Sequence, residues 1–122
     1  IKTAKNAFEF HMDNEKKEVY LSDKEKENQI VMKTGTGKMT IKAAKNLTVQ
    51  VGDKISLIMN GETGKVTLKA NKLLVEATNG AEMKSDMNVS IGGAKVKIQG
   101  NSNVEVSSSG ATKIAGNMIS LG

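Results

Sequence analysis

The residues first raise the possibility of phosphate chemistry. The segment GTGKMT (35–40) has the glycines and the lysine of a loop that cradles phosphates with backbone N–H groups at a helix N-terminus. Such a loop needs the pattern G-x-x-x-x-G-K-[ST]. Counting back from Gly37 and Lys38 puts Met32 where the first glycine should stand, and Met39 follows the lysine in place of Ser or Thr. The residues beyond it alternate as a strand does. The spacing therefore argues against nucleotide binding.

Acid–base or hydrolytic catalysis would need converging groups. The only histidine is His11, and it reads as a surface-strand histidine beside Phe10 with no evident partner. The Asp, Glu and Ser residues fall on outward strand positions and in turns, where such groups are usually solvated. No catalytic residue and no enzyme activity are expected. The chain has no cysteine, so neither a disulfide nor a thiolate metal site can form. No metal site and no cofactor are expected, although ions or lipid on an internal axis stay open.

All 18 basic residues are lysine, and the formal charge is +5. Residues 1–28 hold six Lys and seven acids, net −1, and residues 29–122 hold twelve Lys and six acids, net +6. Nucleic-acid readers rely on Arg for bidentate contacts and on aromatic rings for stacking. With no Arg and only Phe8, Phe10 and Tyr20 as aromatics, nucleic acid is not an expected partner. The lysines read as a solvated outer face and as edge protection.

The elements that carry these residues are set by a repeat. From Lys38 onward apolar side chains come in pairs with one residue between them: Met39/Ile41, Leu47/Val49, Ile55/Leu57, Val66/Leu68, Leu73/Val75, Ala81/Met83, Val89/Ile91, Val96/Ile98, Val104/Val106, Thr112/Ile114 and Ile119/Leu121. Ala81 and Thr112 are the weak members. The steps from pair to pair are 8, 8, 11, 7, 8, 8, 7, 8, 8 and 7 residues. A spacing of two puts both members on one face of a strand, with the residue between them outward. Gly, Asn, Asp and Ser between pairs turn the chain. A helical period does not fit. The single step of 11 contains MNGETG (59–64), which reads as a small loop bulging from the regular part. Upstream, Phe8/Phe10, Val19/Leu21 and Ile30/Met32 follow at steps of 11, separated by charged linkers. The fold class is all-β. Residues 1–37 form a leading segment of longer, charged strands, and 38–122 form a regular shaft. Gly35 and Gly37 mark the junction.

Composition argues that this shaft is shared. A domain of 122 residues normally fills its core with aromatics and large aliphatics. Here single Val, Ile, Leu and Met are spread thinly among Lys, Asn, Ser, Thr and Gly, so the chain either stacks on itself as a three-sided solenoid, which would give under four coils of about 24 residues with open ends, or stacks with copies of itself. Three copies wound about one axis would fill a narrow core without aromatics, each face of the prism taking strands from the three chains in turn. Each block would advance the chain by about 4.8 Å, so eleven blocks would give a shaft of roughly 50 Å. The expected core is the paired residues from Met39/Ile41 to Ile119/Leu121, without Ala81 and Thr112. The chain opens at Ile1 in mid-pattern, which implies a piece of a longer protein, and no run is apolar enough for a signal peptide or a membrane helix.

The opening IKTAKNAFEFHMDNEKKEVYLSD, with its Ile-basic-Thr start, followed by NQIVMKTGTGKMTIKAAKNLTVQ leading into octads, resembles the C-terminal shaft of VgrG proteins, the spikes of bacterial type VI secretion systems. The cell-puncturing spikes of contractile phage tails are similar. The resemblance covers essentially the whole chain and lies in the order and sustained spacing of motifs that are each low in complexity. It implies an intertwined homotrimeric β-helix, or β-prism, that is ejected on a contractile tube and punctures a target cell envelope. It also implies partners: a tube protein joined through an upstream part, a target membrane met transiently, effectors, and a PAAR-repeat protein capping the tip. The tip would be formed by Met118, Ile119, Leu121 and Gly122. The protein would wait in the bacterial cytoplasm and be secreted on firing. The corner glycines are less regular than in the family, and the axial metal that some relatives hold through histidine has no counterpart, since His11 lies far upstream. The alternative is a trimeric stalk of a phage tail fibre or adhesin.

Overall fold

The computed structural model describes every residue except Thr3, Ala4 and Asn6, so Thr3 of the Ile-Lys-Thr opening lies outside the described residues. The described chain is all-β, with two antiparallel sheets and no helix. The first sheet is a meander of β1 (Phe8–Asp13), β2 (Glu18–Asp23), β3 (Gln29–Lys33) and β4 (Lys38–Lys42), paired in that order. The second contains β5 (Asn46–Val51), β6 (Ile55–Asn60) and β7 (Lys65–Lys69). Two compact units result, Ile1–Val75 and Glu76–Gly122. Residues 70–122 contain no strand ladder.

Short polar side chains close several of the turns between strands. In the β2–β3 turn the Asp23 carboxylate accepts the backbone N–H groups of Glu27 (2.9 Å) and Asn28 (3.2 Å) and the Asn28 side-chain amide (2.6 Å). In the β1–β2 turn the Asp13 carboxylate accepts the Lys16 N–H at 2.9 Å. In the β6–β7 turn Asn60 Oδ1 accepts the N–H groups of Glu62 and Thr63 at 3.0 and 3.1 Å. These are Asx-type turns, in which a short side chain satisfies donors that a reversing backbone leaves free.

Three of the hairpins are copies of one unit. Residues 10–21 (FHMDNEKKEVYL), 30–41 (IVMKTGTGKMTI) and 57–68 (LIMNGETGKVTL) align without a gap. In each, the first and last residues face one another across the ladder: Phe10 with Leu21, Ile30 with Ile41, Leu57 with Leu68. The last residue of every four-residue turn has positive φ: Lys17 at 51°, Gly37 at 66° and Gly64 at 70°. Two of the three copies place glycine there, since glycine alone enters this region without steric cost.

These pairings revise one expectation. MNGETG is the turn of an ordinary hairpin between β6 and β7, not a loop bulging from a run of octads. Through Lys69 each strand pairs with its neighbour in sequence within its sheet. The reason is local: turns of three to five residues bring the nearest strand back before any other partner can pair. Gly35 and Gly37 lie in the β3–β4 turn, so the change of step seen at these glycines falls inside one sheet.

Candidate functional site

The feature that stands out is an apolar sheet face with nothing over it. Pleating sends alternate side chains to opposite faces, and the ladder register decides which ones meet. In the first sheet the register lines up Phe10, Leu21, Ile30 and Ile41 in one row across four strands, and Met12, Val19, Met32 and Met39 in the next. In the second sheet Val49, Leu57 and Leu68 form one row, and Leu47, Met59 and Val66 another. Every apolar pair from Phe8/Phe10 to Val66/Leu68 thus lies on one side of its own sheet.

No hydrophobic side chain is buried among the described residues, and the one buried residue among them is Ser22, 4% exposed. Met39 is 67% exposed and Ile41 58%. Phe8, Leu21, Ile30, Ile41, Ala43 and Leu47 line an open hollow of about 480 Å³ together with polar residues from Ser22 to Lys42. The surface totals 11977 Å² for 13.0 kDa. A folded monomer of that mass exposes roughly 6300 Å², so nearly half of the present surface is in excess of what one chain leaves open.

Of the sequence-expected core, the structure brings Met39, Ile41, Leu47, Val49, Ile55, Leu57, Val66 and Leu68 onto these faces. Leu73 and Val75 follow β7 outside any strand. Met83, Val89, Ile91, Val96, Ile98, Val104, Val106, Ile114, Ile119 and Leu121 lie in the second unit, all exposed and without a ladder to align them. The tip residues Met118, Ile119, Leu121 and Gly122 are exposed as well. The hairpin copies add Phe10, Met12, Val19, Leu21, Ile30 and Met32 to the same kind of face.

The opposite face of the first sheet is polar, and it corrects the reading of His11 as partnerless. The register sets His11 across from Tyr20, and their rings stack at 4.9 Å. Glu9 and Asp13 flank the imidazole, with carboxylate oxygens 3.8 Å from Nδ1 and Nε2 respectively. The Tyr20 hydroxyl donates to Glu9 at 3.3 Å. Partial burial, followed by the Glu9 charge and hydrogen bond, raises the Tyr20 phenol above its usual value. Asp23 is held below the usual carboxylate value chiefly by the Asn28 side-chain amide, and Asp13 chiefly by the Lys16 N–H. The cluster ties β1 to β2 and opens into no enclosed site. No group of three or more His, Cys, Asp or Glu among the described residues is arranged to hold a metal ion. The chain matches no known protein family, no curated protein and no solved structure.

Proposed function

We propose that this chain is the shaft of a VgrG-like spike: a homotrimeric β-prism and intertwined β-helix that acts mechanically in a contractile injection machine. The observation that carries the reading is the uncovered apolar face, together with a surface almost twice that of a folded monomer of this mass. Obligate homo-oligomers bury 2,000–5,000 Å² and more, with interfaces like a domain core cut in half, about the size of the excess seen here.

Three copies of the first sheet, apolar faces inward, would make a three-sided prism whose core holds the rows from Phe10 to Ile41 and from Met12 to Met39. The octads from Leu73 to Leu121 have no partner strands within the chain, and neighbouring chains would supply them. The wound part would then add roughly 4.8 Å of shaft per octad. Every backbone group would be paired along the axis, which resists bending and leaves few edges for stray association. A PAAR-repeat tip protein would sit on Met118, Ile119, Leu121 and Gly122, with effectors carried along. The shaft would have no catalytic part in the process.

Light scattering on the isolated chain tests the assembly. About three times 13.0 kDa supports it, and a stable species of 13.0 kDa overturns it. The mechanical role is tested by sequencing the gene around this segment: an oligonucleotide-binding-type barrel with hub domains in the same product supports a spike, and an adhesin head overturns it in favour of a stalk.

A further inference from the structure

The positive charge of the chain is confined to one band. Residues 29–75 hold eight Lys and two acids, net +6, whereas residues 76–122 hold four of each, net zero. Within the band the hairpin copies repeat a pattern on two edge strands, KMTIK in β4 and KVTLK in β7. β4 pairs only with β3 and β7 only with β6, so each has one open edge. Pleating puts Lys38, Thr40 and Lys42 on the polar face of β4, and Lys65, Thr67 and Lys69 on that of β7, with successive members roughly 6.6 Å apart. All six are exposed.

The acids of the first sheet's polar face, Glu9, Asp13 and Glu18, stand on β1 and β2, so β4 at the far edge keeps its lysines largely to itself. The two acids of the band are Asp53 in the β5–β6 turn and Glu62, which reaches Lys45 at 3.6 Å. Lys42 Nζ donates to the Lys26 carbonyl at 3.0 Å, a contact that leaves its charge uncompensated. Lys38 faces Lys33 directly across the ladder, and Glu18 approaches Lys33 at 3.9 Å. Like charges set opposite one another cost stability unless a counter-charge covers them. Between the lysines the neighbouring strands offer Val31 beside Thr40 and Ile58 beside Thr67. Each copy is therefore an apolar spot framed by ammonium groups on flexible stems, a chemistry suited to the headgroup region of a bilayer.

We propose that the polar faces of β4 and β7 are each a basic patch that docks on anionic phospholipid. The absence of Arg disfavours a nucleic acid, and on the polar face the Tyr20 ring is already engaged with His11 and Glu9. The geometry of each patch follows from one chain. Only its multiplication by three rests on the proposed trimer.

The test uses the full chain and sedimentation with vesicles of phosphatidylcholine, alone or mixed with phosphatidylglycerol. The expected result is binding to the mixed vesicles only, weakening as salt rises. The variant Lys38→Gln/Lys42→Gln/Lys65→Gln/Lys69→Gln should lose at least about tenfold in binding, because juxtamembrane lysines act additively near an anionic surface. The variant Lys84→Gln/Lys95→Gln/Lys97→Gln/Lys113→Gln, outside the band, should keep it. Equal binding to neutral vesicles, equal loss in both variants, or double-stranded DNA outcompeting the vesicles would each overturn the proposal. Light scattering on the same samples reports the assembly separately, so failure of the patches is distinguishable from failure of the trimer.

Discussion

Ile41 and Thr40 are adjacent on β4 and point to opposite sides of the sheet, which makes them a matched pair for asking whether the apolar face is covered. Ile41 is 58% exposed in the single chain and lines up with Ile30, Leu21 and Phe10. If the single chain were the final state, Ile41→Asp would be a surface change worth within about 0.5 kcal/mol. If three copies close over the face, two losses add. The first is the burial of the remaining exposed part of Ile41, about 1–2 kcal/mol per chain when scaled from full burial of such a side chain. The second is a carboxylate in an apolar interior, which costs several kcal/mol or forces the group to take up a proton. With three such groups on one axis, assembly should fail altogether. Thr40→Asp lies between Lys38 and Lys42 on the polar face and should leave both mass and melting temperature unchanged. The assay is light scattering combined with a thermal melt of both variants. A trimer of Ile41→Asp that melts like the parent would refute the inward placement of this face, whatever the mass of the parent.

The turn conformations make a second test. Gly37→Val places a β-branched side chain at φ 66° with no atom within 4 Å of its Cβ, so its cost is purely conformational, about 1–2 kcal/mol per chain; a melt unchanged from the parent would refute the left-handed turn. Lys17→Gly at φ 51° should stabilise by up to about 1 kcal/mol, and a lower melting temperature would count against the equivalence of the three hairpins. Gly61→Ala would set its Cβ 2.8 Å from the Lys45 carbonyl oxygen, which also accepts the Gly61 N–H at 2.7 Å, so the β6–β7 turn should lose that bond and its hydrogen-exchange protection. Asp13 and Asp23 have depressed values in the folded chain, so the stability they contribute is present above the ordinary carboxylate value of about 3.9 and is lost as pH falls through the depressed values. Denaturant midpoints should accordingly drop below about pH 4, less steeply in Asp23→Asn, and an acid limb identical in the two proteins would remove Asp23 from the account.

Much of the local architecture was legible in the residues themselves. Alternation at Phe8/Phe10, Val19/Leu21, Ile30/Met32 and Met39/Ile41 settles which side chains share a face, because the side-chain period of a strand is two whatever the partner. The failed spacing at Met32 and Met39 removed the phosphate loop for a similar reason, as backbone cradles depend on local geometry. The copy of IVMKTGTGKMTI in LIMNGETGKVTL was also present in the sequence, and its Met-x4-Gly spacing was the signal for a hairpin.

Other features depend on which strand lies beside which, and spacing alone does not carry that. A step of 11 suits a hairpin or an octad with a bulge equally well. Only the ladder, with Leu57 opposite Leu68, makes MNGETG a turn. His11 acquired Tyr20 as a neighbour because the β1–β2 register sums their positions correctly, and Lys17 took a left-handed conformation that its residue type does not announce. Alternation decides the face of a side chain within a few residues of chain, whereas pairing is decided by turn closure and by competition among distant edges. The sequence alone thus determined an apolar face on every strand from β1 to β7. The tertiary structure decided that these strands pair within one chain and still leave that face uncovered, because an antiparallel meander satisfies its backbone laterally and can bury one side only against another layer.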